Sequence, residues 1–234
     1  GVFPAGGRAY CPVRRAERRV NVGLAYWDYQ GRSTIALDSD AEVSVFAFGA
    51  YDRVEGADLV SHGGGTQFHR VDVRYLRDTG SSRTTAAVTY GFDRTGAATG
   101  QIYDRSLALR LFTVRKLWQT LALSGGVEAN TSRYDLEIDR NSSDAADVAA
   151  LFPPRRDFSA GAHLDLPWSP ARWVTVAPGP RVDVYCIGGP TAIGVDPRIT
   201  SGFQPPKRSR VPHTLGLAAH PTNLLPRVPA PPGG

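Results

Sequence analysis

The segment His69-Arg70-Val71-Asp72-Val73-Arg74-Tyr75 alternates apolar and charged residues without a break. Successive side chains of a strand point to opposite faces. Val71, Val73 and Tyr75 therefore share one face, and Arg70, Asp72 and Arg74 the other. The same two-residue period recurs along most of the chain. Val20, Val22, Leu24 and Tyr26 open a stretch that reaches Leu37, and Glu42–Tyr51 sets Ser44, Phe46 and Phe48 against Val43, Val45 and Ala47. In Thr84–Phe92, Ala86, Val88, Tyr90 and Phe92 oppose Thr85, Ala87, Thr89 and Gly91. Leu107, Leu109 and Leu111 oppose Ser106, Ala108 and Arg110 within Ile102–Thr113. In Trp118–Thr131, Leu121, Leu123 and Val127 oppose Thr120, Ser124 and Glu128.

Beyond Thr131 the alternation continues through Tyr134, Leu136 and Ile138, which predicts a strand running on into its loop. Ala145–Leu151 reads as a short helix stopped by Pro153-Pro154. Phe158–Leu166 and Trp173–Cys186 are further strands. In the latter Arg181 and Asp183 oppose Val182 and Val184, and Pro178 and Pro180 argue against an unbroken central strand. Ile187–Val195 reads as a loop, and Ile199–Phe203 and Thr214–Ala219 as weaker strands. Residues 1–17 read as a loop or tail, 18–220 as the β region, and 221–234 as a Pro-rich disordered tail.

The prediction is an all-β, antiparallel up-and-down meander of about ten strands, each about the ten residues that cross a bilayer when tilted. Its connections sort by length. Short joints follow Leu37, Arg77, Thr113, Leu166 and Phe203; long loops follow Tyr51, Phe92, Thr131 and Cys186. A transmembrane β-barrel, or part of one, has that arrangement. Each charge on the lipid face near the midplane costs about 2–4 kcal/mol, and Arg70, Asp72, Arg74, Arg110, Glu128, Arg181 and Asp183 all avoid the apolar parity. These seven are predicted to face the lumen. Trp27, Trp118, Trp168 and Trp173 fall near strand ends, where an interfacial aromatic belt would need them; capping a soluble core is the other reading.

Composition agrees with this picture. Hydrophobic residues make up 41% of 234, since only alternate positions need be apolar, and no run reaches the length of a transmembrane helix. Net charge is +5, and all basic residues but Lys116 and Lys207 are arginine. Apart from the cluster Arg14, Arg15, Arg18 and Arg19 they are scattered among strand positions, so nucleic acid is not the expected partner. Cys11 and Cys186 leave two readings open, one long-range disulfide or two free thiols. The chain starts at Gly1 and has no methionine, which predicts a processed chain or an excerpt of a longer one.

Catalytic chemistry is not expected. His62-Gly63-Gly64-Gly65 imitates an oxyanion loop but has no Gly-x-Ser-x-Gly elbow beside it, and reads as a flexible glycine-rich surface loop. The five histidines show no metal-ligand spacing. Asp135, Glu137 and Asp139 would share a strand face and read as a solvated acidic surface. No catalytic, metal or cofactor residue is assigned.

Tyr26-Trp27-Asp28-Tyr29-Gln30-Gly31-Arg32 and Glu42-Val43-Ser44-Val45-Phe46-Ala47-Phe48-Gly49-Ala50-Tyr51-Asp52 resemble consecutive barrel strands of TonB-dependent outer-membrane receptors. Pro178-Gly179-Pro180-Arg181-Val182-Asp183-Val184-Tyr185 resembles their "pGxRxDxY" strand, and Asp196-Pro197-Arg198 the opening of the next. The resemblance covers about residues 20–220. It implies the Gram-negative outer membrane, uptake of a small ligand such as an iron chelate, cobalamin or oligosaccharide, and a TonB-type energy-transducing partner acting through a plug domain. No plug is recognisable here, and about ten strands cannot close a barrel of about 22. The expectation is therefore a barrel segment. A stand-alone small pore or adhesin barrel and a soluble β-sandwich binding module are the alternatives.

Overall fold

The computed structural model describes residues 5–15, 18–56, 60–97, 100–138, 145–151, 153–203 and 211–216. Twelve strands and one short helix follow in chain order: β1 Ala5–Arg15, β2 Arg18–Ala36, β3 Ala41–Gly56, β4 Val60–Asp78, β5 Ser82–Ala97, β6 Gly100–Lys116, β7 Ala122–Ile138, α1 Ala145–Leu151, β8 Arg155–Asp165, β9 Trp168–Ala171, β10 Val174–Ile187, β11 Thr191–Phe203 and β12 Val211–Gly216. All strands belong to one sheet in sequential antiparallel order, apart from the four-residue β9, which pairs with β10 off the main path and bridges to Leu121 through Trp168. The outermost strands β1 and β12 do not pair with each other, so the sheet is open.

The meander agrees with the alternation, but its strands are longer than predicted. Within Asp52–Gln67, expected to be a loop, residues 52–56 and 60–67 extend the β3–β4 hairpin, and Gly64 and Gly65 pair with Val54 and Arg53 rather than forming a loose glycine-rich loop. β10 and β11 are joined by 188–190, not by a loop to Val195; the turn is tight because Gly188 and Gly189 take φ of 59° and 113°. Residues 5–15, expected to be loop or tail, form β1, laddered from Ala5↔Asp28 to Arg15↔Arg18. These differences share one cause. A ladder needs backbone partners, whereas alternation appears only where the two faces meet different surroundings. The predicted helix at Ala145–Leu151 is present; the tail at 221–234 lies outside the described residues.

β10 is unbroken despite its prolines. Its ladder to β8 ends at Arg181↔His163, one residue before Pro180. Leu166 N–H donates to the Pro178 carbonyl at 2.9 Å, which places the missing Pro178 donor on the β8–β9 side. That side is where regular pairing has already stopped.

Among the described residues no second layer covers the sheet, and substantial contacts run only between laddered neighbours and from α1 to β7. The buried apolar residues among those described are Ala41 and Ala87, and no large side chain is fully buried. A β-sandwich would bury the Val and Leu positions of two facing sheets; here Leu109 and Val127 are 47% and 53% exposed. The sandwich alternative fails on this point.

The register instead builds one continuous apolar face. One cross-strand row is Val45, Val73, Val88, Leu109, Ala129, Ala160, Val184 and Ile193, from β3 to β11. The row two residues away is Val43, Tyr75, Ala86, Leu111, Val127, Ala162, Val182 and Val195. On β6 this band runs between Arg105 and Arg115, which point to the same side. Ten residues at about 3.4 Å span about 34 Å along the strand. A tilt of about 40–45° reduces that to about 25 Å, the height of a lipid-facing barrel band.

Rings mark both ends of the band. The connections do not sort by length as expected: those after Tyr51, Phe92 and Cys186 shrink to 57–59, 98–99 and 188–190, because the strands run on into them. At the end that carries these three connections, Trp27 stacks on Tyr29 and Tyr51 with centroids 6.0 and 5.9 Å apart, and the chain of rings continues through His69, Phe92 and Tyr103. At the opposite end Trp118, Trp168 and Trp173 are all at least half exposed or nearly so, and Trp173 packs edge-on against Phe203 at 5.4 Å. The tryptophans cap no core. They stand where an aliphatic surface gives way to a polar one.

Candidate functional site

Opposite the apolar band lies a face rich in ion pairs, and all seven charged residues singled out in the sequence point to it. One ladder row reads Ser44, Arg74, Ala87, Arg110, Glu128, Gly161, Asp183 and Gly194. Four of the seven are thus brought into a single line across the sheet. Asp72 and Arg181 lie one row away on either side, and Arg70 one row beyond Asp72. Seven of the nine described buried residues, Ala87, Gly91, Ser124, Ser132, Gly161, Asp183 and Gly194, belong to this face.

Two networks organise it. In the first, Arg70 donates from Nη1 and Nη2 to the two carboxylate oxygens of Asp93, at 2.8 and 2.6 Å. It also donates to the His69 carbonyl at 2.9 Å. Gly91 makes room for it: a Cβ there would lie 3.1 Å from Arg70 Nε. Asp72 accepts from Thr89 Oγ1 at 2.7 Å and pairs with Arg74 at 3.2 Å, while Arg110 Nη2 donates to Thr89 Oγ1 at 3.2 Å. Thr89 thereby joins Arg110 to Asp72 and Arg74 on three adjacent strands.

In the second network Arg181 donates from Nε and Nη2 to Asp183, both at 2.7 Å, and Nη2 also pairs with Glu128. Asp183 is the most enclosed charge among the described residues, at 4% exposed. A carboxylate so enclosed is tolerable only with its guanidinium partner in place. Next to it, Arg198 holds Asp165 through Nε and Nη2 at 3.2 and 2.8 Å, with His163 at 3.9 Å. A cavity of about 270 Å³ opens between the two networks, lined by Arg110, Glu128, Asn130, Ser159, Arg181 and Tyr185 among others.

Sequence reasoning missed Asp93, Thr89, Asp165 and Arg198 as members of these networks. Asp93 lies just past the predicted end of its strand, and its tie to Arg70 depends on the β4–β5 register. Arg198 and Asp165 lie 33 residues apart on strands not adjacent in the main ladder. Nothing local in the sequence links Asp165 to Arg198. Among the described residues no group of three or more His, Cys, Asp or Glu is placed to hold a metal ion, and Cys186 is a free thiol. The arrangement is suited to lining a polar space and to contacting a charged or hydrogen-bonding ligand along it.

No protein-family model matches this sequence, and no curated protein matches it. Solved structures do. The fold is similar to that of the siderophore receptor PirA from Pseudomonas aeruginosa, with a TM-score of 0.65 and 12% identity, covering 92% of this chain and 39% of that one. It is also similar to the copper transporter OprC, with a TM-score of 0.64 and 15% identity, covering 92% of this chain and 41% of that one. The chain therefore spans about two fifths of the length of either. The likeness is one of fold. This open meander has the fold of a segment of each of these two proteins.

Proposed function

We propose that this chain forms part of the wall of an outer-membrane receptor barrel of the TonB-dependent type, serving uptake of a small ligand. The observation that carries the reading is the two-sided single sheet. One face is an exposed apolar band about 25 Å high with rings at both ends. The other collects the charged residues of the same depth into hydrogen-bonded networks. A monomer in water rarely leaves an apolar surface of this extent uncovered. In lipid it is the expected outer surface, because every strand in the band is paired along its interior edges.

On this reading Arg70, Asp72, Arg74, Arg110, Glu128, Arg181 and Asp183 face the lumen. Their ion pairs hold neighbouring strands together and present polar groups to whatever occupies the barrel. Energy for uptake comes from a TonB-type partner through a plug domain seated on this face. A metal chelate is the ligand class favoured here, since one structural neighbour is a siderophore receptor and the other a copper transporter.

Density separation of membranes from the source organism tests the placement. The full-length protein is expected in the outer-membrane fraction, with gel mobility that changes on boiling. Recovery in the soluble fraction contradicts the proposal. Uptake is tested by deleting the gene and measuring growth with the sole iron or copper source held by a chelator.

A further inference from the structure

The ring-bearing rim of the apolar band changes character across the sheet. One ladder row on the band's side runs Tyr29, Gly49, His69, Phe92, Arg105, Arg133 and Arg156. The parallel row beyond it runs Trp27, Tyr51, Gln67, Arg94, Tyr103 and Asp135. β2 to β5 present rings at this level, whereas β5 to β8 present guanidinium groups. We infer that Arg94, Arg105, Arg133 and Arg156 form a binding patch for phosphate-bearing lipid head groups on the outer surface of the barrel wall. The inference rests on the membrane reading proposed above.

Three observations support it. First, the depth is right. These arginines share rows with Tyr29, His69, Phe92 and Tyr103, and aromatic rings of that kind sit at the head-group level. Second, the group is ordered for binding. Asp135 accepts from Arg105 Nη1 at 3.1 Å and from Arg133 Nε at 3.1 Å, so a single carboxylate orients two guanidinium groups. Each keeps further N–H donors, and the side chains are 48% and 53% exposed. Arg94 lies over the Tyr103 ring at 6.0 Å from its centroid. Third, charge is sorted by face. In Asp93-Arg94 and Asp104-Arg105 the aspartate takes the opposite side, where Asp93 holds Arg70. On β5 to β8 the band side at this level holds four arginines against Asp135 and Glu137.

A phosphate monoester or diester is the anion that guanidinium forks match best. The lipid source is favoured over free phosphate because the apolar band begins directly beneath, at Leu107 and Phe158, giving an acyl chain a surface to follow.

The test uses the full-length protein reconstituted in phosphatidylcholine vesicles, with spin-labelled phosphatidylglycerol and phosphatidylcholine as probes. Association with the anionic lipid over the neutral one is expected to be about fivefold stronger. The R94Q/R105Q/R133Q/R156Q variant should lose that preference while keeping its heat-dependent gel mobility, and the corresponding Lys variant should retain part of it. An unchanged preference in the Gln variant overturns the patch while leaving the membrane reading intact. Suppression of the preference by millimolar inorganic phosphate overturns the lipid source. Failure of the wild-type protein to enter vesicles overturns the membrane reading, and the patch with it.

Discussion

Gly161 of β8 lies directly between Glu128 and Asp183 in one ladder row, and because it has no side chain Arg181 reaches across β8 to Glu128. A Cβ at Gly161 would lie 2.7 Å from Arg181 Nη2 and closer still to Asp183 Oδ1. The bridge over three strands depends on that gap. Gly161→Val is expected to displace Arg181 and destabilise the protein by about 1–3 kcal/mol. The urea midpoint of the full-length protein in vesicles measures this; an unchanged midpoint would mean that the bridge contributes nothing.

Removing the two acidic partners of Arg181 should have unequal effects. Asp183 has a side-chain exposure of 6% and Glu128 one of 48%. Asp183→Ala leaves a half-buried guanidinium without the carboxylate that holds it at two points and is expected to cost about 2–3 kcal/mol. Glu128→Gln breaks a largely solvated pair and should cost less than about 1 kcal/mol. Equal effects would contradict the assignment of Asp183 as the centre of the network.

The two faces of β6 should respond unequally to the same substitution. Leu109 lies in the middle of the apolar band and Ala108 on the ion-paired face. Leu109→Arg is expected to destabilise the protein by about 2–4 kcal/mol in vesicles, the cost of a lipid-facing charge near the midplane. Ala108→Arg adds a charge beside Asn130 and Thr89 and should cost well under half as much. The comparison of the two unfolding midpoints decides between a lipid-facing and a water-facing band.

The sequence made the sides of β4 to β7 legible because the bilayer imposes opposite demands on alternate residues. Val71 and Val73 against Arg70 and Asp72 needed no coordinates to be separated. Strand ends were not legible. Past His69 towards Val60 both faces of β4 become polar, so alternation stops although the ladder to β3 continues through Gly64↔Val54. β1 escaped notice for the same reason. Partnerships across strands were also out of reach. Nothing local in Ser159-Ala160-Gly161 signals that Gly161 sits under Arg181, and Thr89 shows its link to Arg110 only once the β5–β6 register is known.

The central claim is that one face of this sheet meets lipid and the other does not. Nitroxide scanning of Ser106–Phe112 in the full-length protein tests it most directly, by accessibility to oxygen and to a water-soluble nickel complex. A two-residue period is expected. Positions 107, 109 and 111 should be oxygen-accessible and nickel-protected, and 106, 108 and 110 should not share that signature. A flat profile, or the same period with its phase reversed, would contradict it.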